Sequence, residues 1–219
     1  IPVFVTAEAN IDQWIKKDSN EPLTFTAKAG VPKEVKLQPF YSISNDHYSV
    51  YWDIFTPEQW TAQQQVYEEK RKVAAELEQR TVDVLRVGEM QPERDHEFTG
   101  EKTEAGESHT RKFRVANEGG FLSFTMKVAP GFSHNLINTY WGMDNRGRTF
   151  DILVDGEKIA TENLNNFKES KFYDIEYRIP SSLTEGKTSI TIKFQAKPGN
   201  QAGPVYGVRL VKEAKVEGK

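Results

Sequence analysis

Phe150-Asp151-Ile152-Leu153-Val154 is followed by Asp155-Gly156, and this short stretch constrains the chain more than any other. Side chains alternate across an extended strand, so Phe150, Ile152 and Val154 share one apolar face. Asp-Gly between alternating residues is a strong signal for a two-residue hairpin turn, because both positions tolerate positive φ. The stretch predicts a strand that is half of a buried sheet and turns back on itself. Around it lie further runs of the same kind, at 111–115, 121–128, 134–141, 157–162, 172–178, 188–195 and 205–212. Turn residues separate them: Asn117-Glu118-Gly119-Gly120, Pro130-Gly131, the 144–147 segment, Glu185-Gly186, and the segment from Pro198 to Pro204. Many short strands with closely spaced turns predict a β-sandwich or jelly roll.

The chain ahead of this region has two parts. Residues 1–55 contain short β-prone runs at 1–6, 23–27, 35–37 and 48–54, and Ile11-Asp12-Gln13-Trp14-Ile15 reads as one helical turn after Asn10. Strands this few and short leave open edges and too little buried area for an independent core. The segment is therefore expected to be the end of a middle β domain whose first strands lie upstream. Thr56-Pro57-Glu58-Gln59 carries an N-cap, a proline suited to the first helical position and a capping-box glutamine. No glycine or proline follows until Gly88, and Trp60, Val66, Tyr67, Val73, Ala74 and Leu77 form an apolar stripe. The expected organisation is mainly β: a partial β domain at 1–55, a linking α-helix at 56–83, and a jelly-roll β-sandwich at 84–219.

Composition narrows the function. A net charge of −3 over 219 residues offers no general basic field for nucleic acid, and no apolar run is long enough for a membrane-spanning helix. The chain has no cysteine, which removes thiolate nucleophiles, disulfides and cysteine-ligated zinc. Phosphate-loop, dinucleotide-loop and nucleophile-elbow spacings are absent, and the four histidines are dispersed. With 32 acidic residues a catalytic carboxylate pair can always be nominated, and no local feature isolates one. The sequence begins Ile1-Pro2-Val3 without an initiator methionine and reads as a piece of a longer protein, with a mature form after export processing as the alternative.

Two segments are candidate sites. Tyr140, Trp141, Asp144, Asn145, Arg146 and Arg148 combine aromatic faces with planar polar groups, the chemistry that holds a sugar ring and its hydroxyls. Asn165, Asn166, Asn200 and Gln201 lie on loops that can join them. The competing reading places Tyr140 and Trp141 on opposite faces, one of them in the core, with the arginines paired to acids. The 88–97 segment is dense in oxygen ligands, with Glu93 and Asp95 as candidate calcium ligands. Its alternative is a solvated loop entering the sandwich. No other cofactor is expected.

The segment Leu37-Gln38-Pro39-Phe40-Tyr41, continuing to Tyr51-Trp52, resembles the stretch that follows the catalytic barrel in β-L-arabinofuranosidase-type glycoside hydrolases (families 127 and 146). The 140–156 stretch, with Gly119-Gly120-Phe121 and Lys193-Phe194-Gln195-Ala196, resembles their C-terminal jelly roll. The first motif commonly carries a histidine where this chain has Ser44. The resemblance implies an upstream (α/α)6 barrel that holds the catalytic zinc, cysteine and glutamates, and a periplasmic or extracellular setting. It makes this chain a non-catalytic accessory region whose partners are that barrel and carbohydrate. An independent carbohydrate-binding module and a purely structural brace are the alternatives.

Overall fold

A computed structural model describes residues 3–42, 52–143 and 147–213. The chain falls into two compact units, residues 1–75 and 76–219.

The first unit holds two small sheets. β1 (Val3–Val5) pairs antiparallel with β4 (Gly30–Val31) and parallel with β6 (Ile54–Phe55). β2 (Ile15–Lys17), β3 (Phe25–Ala27) and β5 (Val35–Leu37) form an antiparallel sheet in the order β2-β3-β5. The expected turn after Asn10 is present as a 3-10 turn, Ile11–Gln13, with the Asn10 side chain accepting from the Asp12 N–H. Phe4, Trp14 and Ala27 are the buried residues of a small core, and Phe4 stacks on Trp52 at 4.8 Å. Residues 43–51, most of the first motif of the resemblance, lie outside the described residues.

The helix α1 (Pro57–Arg80) begins on the expected capping box. The Gln59 side chain accepts from Thr56 N at 2.9 Å, and Thr56 Oγ1 accepts from Gln59 N at 3.2 Å. None of its residues is buried, and Val66, Tyr67 and Val73 of the apolar stripe stay exposed.

The second unit is a two-sheet sandwich of jelly-roll type. One sheet is antiparallel in the order β13-β10-β16-β7, from β7 (Thr81–Leu85), β10 (His134–Trp141), β13 (Phe172–Ile179) and β16 (Gly207–Lys212). The other runs β12-β11-β14-β9-β15, from β9 (Arg111–Lys127), β11 (Thr149–Val154), β12 (Glu157–Asn163), β14 (Ser189–Ala196) and β15 (Ala202–Val205). A sixth strand, β8 (Thr99–Ser108), also pairs with β9. The predicted turn at Asp155-Gly156 joins β11 to β12, with φ of 49° and 88° at the two positions. Phe150, Ile152 and Val154 are fully buried against Ile192, Phe194, Leu136 and Tyr140, in the one core between the sheets.

The structure departs from the sequence reading at four elements, one of them β8, which no predicted strand covers. Asn117-Glu118-Gly119-Gly120 is not a turn but a bulge within β9: the ladder to β8 passes from Thr103↔Ala116 to Glu101↔Phe121. Gly119 takes φ +72°, and a Cβ on Gly120 would lie 2.3 Å from the Glu101 carbonyl oxygen. Strand β7 starts at Thr81, directly after the helix, so a strand of the sandwich begins ahead of residue 84. The 88–97 segment holds a short helix, α2 (Met90–Asp95), rather than an irregular loop.

Candidate functional site

Strand parity decides which of the predicted site residues face solvent. Along β10, His134, Leu136, Asn138 and Tyr140 are buried and the alternate residues Asn135, Ile137, Thr139 and Trp141 are only half-buried. Tyr140 therefore belongs to the core. Its hydroxyl accepts from Asn138 Nδ2 at 3.0 Å and lies 3.4 Å from the hydroxyl of Tyr177, which donates to Glu162. Burial pushes both phenols above their ordinary pKa, so they stay protonated hydrogen-bonding groups inside the fold. Tyr140 offers no face to a sugar. Arg148 is also buried, at 7% exposure, which removes it from an exposed binding loop. Asp144, Asn145 and Arg146 lie outside the described residues.

Of the neighbouring loops, 197–201 meets the chain at 147–149. Gln201 N donates to the Gly147 carbonyl at 3.1 Å and Thr149 N donates to Asn200 Oδ1 at 3.3 Å. The 164–171 loop reaches Met143, whose N donates to the Phe167 carbonyl at 2.7 Å.

The calcium candidates do not form a cation site. Glu93 is buried, and both its oxygens are taken by Arg114: Nε to Oε1 at 2.8 Å and Nη2 to Oε2 at 2.6 Å. Gly88 N donates to the same carboxylate at 2.8 Å. A guanidinium held bidentately on a carboxylate excludes a second cation there. Asp95 instead accepts from the Gln91 side chain, and no acidic or histidine cluster that suits a metal occurs among the described residues.

Among the described residues of the predicted carbohydrate site, Trp141 is the one that reaches the surface, and it sits in an aromatic group the sequence did not reveal. It meets the Phe172 ring edge-on at 4.8 Å, as its cross-strand neighbour on β13. His109, at the tip of the β8–β9 hairpin, stacks on the indole at 3.6 Å and covers one of its faces. Phe172 also contacts Tyr206 at 5.0 Å, and the Arg111 guanidinium lies 4.2 Å from the centre of the Phe172 ring. His109 and Thr110 reach the turn with φ of 53° and 63°, a conformation that neither residue type signals in a sequence.

Below this group a groove crosses the outer face of the four-stranded sheet, with a volume of about 260 Å³. Register explains it. Asp174, Thr139 and Gly207 face one another in a row across β13, β10 and β16. The next row toward the hairpin carries Trp141 and Phe172, and the row on the other side carries Glu176, Ile137, Arg209 and Val84. Gly207 has no side chain to fill the space between these ridges. Thr139 Oγ1 donates to Asp174 Oδ1 at 2.6 Å, and Arg209 Nη1 donates to Thr81 Oγ1 at 2.5 Å and Glu78 Oε2 at 3.2 Å. The floor is thus apolar and backbone, and the walls carry fixed hydroxyl, carboxylate and guanidinium groups. That combination suits a saccharide, whose ring faces are apolar and whose edges are hydroxyls.

By its architecture the second unit is a β-sandwich domain with a shallow polar groove on one sheet. Residues 76–211 match the family of unknown function DUF6805, and the chain belongs to that family. No curated protein matches it. Among solved structures it is similar to a family 35 carbohydrate binding module from Clostridium thermocellum, at 11% identity over 52% of this chain and 90% of that one, with a TM-score of 0.40. It is also similar to the carbohydrate-binding module CBM36 in complex with calcium and xylotriose, at 12% identity over 54% and 95%, TM-score 0.39. The ANXUR2 extracellular domain from Arabidopsis thaliana matches at 10% identity over 62% and 49%, TM-score 0.45. No helix among the described residues is long and apolar enough to cross a membrane.

Proposed function

We propose that this chain is a non-catalytic accessory region of a glycoside hydrolase that acts in the periplasm or outside the cell, and that its sandwich holds carbohydrate in the groove over Gly207. The observation that carries the reading is the groove itself: Ile137 and Val84 give apolar surface beside hydrogen-bonding groups from Thr139, Asp174 and Arg209. These five residues sit on four strands of one sheet, so their groups are held by the fold rather than by loops. The parent enzyme is an L-arabinofuranosidase acting on plant polysaccharide or glycoprotein glycans, a proposal supported by the motifs at 37–52 and 140–156. The unpacked apolar stripe of α1, with Tyr67 and Val73 exposed, supports the packing role toward the barrel of that enzyme.

Calorimetric titration of the chain with plant arabino-oligosaccharides and other plant cell-wall oligosaccharides tests the binding. Gly207→Leu fills the groove from its floor, where an added Cβ meets Thr139 Oγ1 at an ordinary 3.4 Å. The expected result is binding by the parent chain and none by a folded Gly207→Leu variant. Absence of binding by the parent chain across the panel, or equal binding by the variant, removes the groove as the site. Cleavage of a nitrophenyl arabinofuranoside by the purified chain overturns the non-catalytic assignment.

A further inference from the structure

We infer that the groove takes a sugar bearing a carboxylate, a uronate-containing oligosaccharide, and that Arg111 is the residue that meets the acid. This rests on the carbohydrate reading above and narrows its ligand class. Three arginines line the groove, Arg86, Arg111 and Arg209, against one carboxylate, Asp174.

The three arginines are not equivalent. Arg209 is engaged by Thr81 and Glu78, and Arg86 pairs with Glu89 at 3.2 Å. Arg111 has no carboxylate partner among the described residues, and its contact is the face of Phe172. Phe172 in turn is braced by Trp141 and Tyr206. A guanidinium stacked on an aromatic ring has lost much of its rotational freedom while its N–H edges remain available. Such a planar fork matches a carboxylate bidentately. A neutral sugar offers it only hydroxyls.

Position supports the same ligand. Arg86, Arg111 and Tyr206 line both this groove and a second hollow of about 410 Å³ that also includes Lys112, Glu89 and Glu107. The two hollows therefore meet at the two arginines. An oligosaccharide laid along both would pass Arg111, within reach of a ring carboxylate.

The test uses the full chain, trigalacturonate and its fully methyl-esterified counterpart, which keeps the shape and loses the charge. Trigalacturonate is expected to bind more tightly than the ester by about tenfold or more, the range set by a hydrogen bond to a charged group, and to weaken as salt is raised. Arg111→Met keeps a side chain over Phe172 and should abolish the difference between acid and ester. Arg111→Lys, which keeps the charge without the fork, should restore part of it. Equal affinity for acid and ester, discrimination that survives Arg111→Met, or displacement of trigalacturonate by equimolar inorganic sulfate each overturns the inference. If a neutral arabino-oligosaccharide binds and is lost in Gly207→Leu while trigalacturonate does not bind, the uronate assignment fails and the carbohydrate reading stands. If no saccharide binds, both fail.

Discussion

Replacing Glu93 by leucine removes one half of a buried ion pair at similar volume, and the structure sets the cost. The Glu93 side chain is 6% exposed and that of Arg114 15%, so neither group can turn to bulk water without the fold giving way. Without the carboxylate, Arg114 keeps its contact with the Phe98 ring at 4.1 Å and a long bond to Thr103 at 3.3 Å, and Gly88 N loses its acceptor. Removing one partner of a buried pair costs about 3–5 kcal/mol, most of it the charge left behind. In a domain of this size that corresponds to a fall in Tm of about 6–20 °C. Urea and thermal unfolding followed by circular dichroism measure it.

The double variant Glu93→Leu with Arg114→Met separates this cause from simple loss of packing. With both charges gone, no uncompensated guanidinium remains, and the double variant should be more stable than Glu93→Leu alone by about 2 kcal/mol or more. The residual deficit is the unpaired Gly88 N–H, about 1–3 kcal/mol. A loss below about 1 kcal/mol in the single variant, or strictly additive losses in the double, refutes the reasoning. Millimolar calcium should leave the midpoint of the parent protein unchanged, because Arg114 already occupies the carboxylate.

Gly120→Ala places a Cβ 2.3 Å from the Glu101 carbonyl oxygen and 2.9 Å from that of Asn117, so the bulge between β8 and β9 must open. A loss of about 1–3 kcal/mol is expected by chemical denaturation; tolerance of the alanine would show that the close approach is not real. His134 is buried on the inner face of β10 with its Nε2 accepting from Ala129 N, and burial, with Lys212 alongside, lowers its pKa. The unfolded chain then takes up a proton that the folded chain refuses, so stability present above the ordinary histidine value of about 6.5 is lost as pH falls toward the lower folded value. Unfolding midpoints of His134→Gln between about pH 7 and pH 5 should fall less steeply than those of the parent protein. Parallel curves sink the assignment.

How much of this was legible in the sequence follows from which strands have a dry side. β10, β11, β12, β13 and β14 each fall within a residue or two of their predicted bounds, and β10, β11 and β14 alternate cleanly between core and outside. β8 was invisible because it is an edge strand paired only with β9. Its sequence, Thr-Gly-Glu-Lys-Thr-Glu-Ala-Gly-Glu-Ser, has no apolar period, and its residues are exposed or half-buried. β7 was hidden differently: it leaves the helix with no glycine or proline between Arg80 and Thr81, so the helical reading ran on into it. The paired glycines at 119–120 carried a true backbone signal that was given the wrong meaning. Glycine marks positive φ or close approach, and a bulge needs both as much as a turn does.

The candidate site shows where single-sequence reasoning stops. Parity along β10 was enough to say that Tyr140 and Trp141 part company, and the alternation of Leu136 with Tyr140 gives the direction. What parity cannot supply is the neighbour across the sheet. Asp174 and Gly207 come to Thr139 from strands 35 and 68 residues away along the chain, through hydrogen-bond registers that no local pattern encodes. Arg111 and His109 arrive from a hairpin whose long arm β8 has no strand signal at all. Of the motif at 140–148, Tyr140 and Arg148 turn inward and Trp141 stays at the surface, while the exposed guanidinium beside Phe172 belongs to Arg111, from another hairpin. A site built across a sheet is readable only when the register is known, and that is why Gly207, the residue whose missing side chain opens the groove, carried no signal in the sequence.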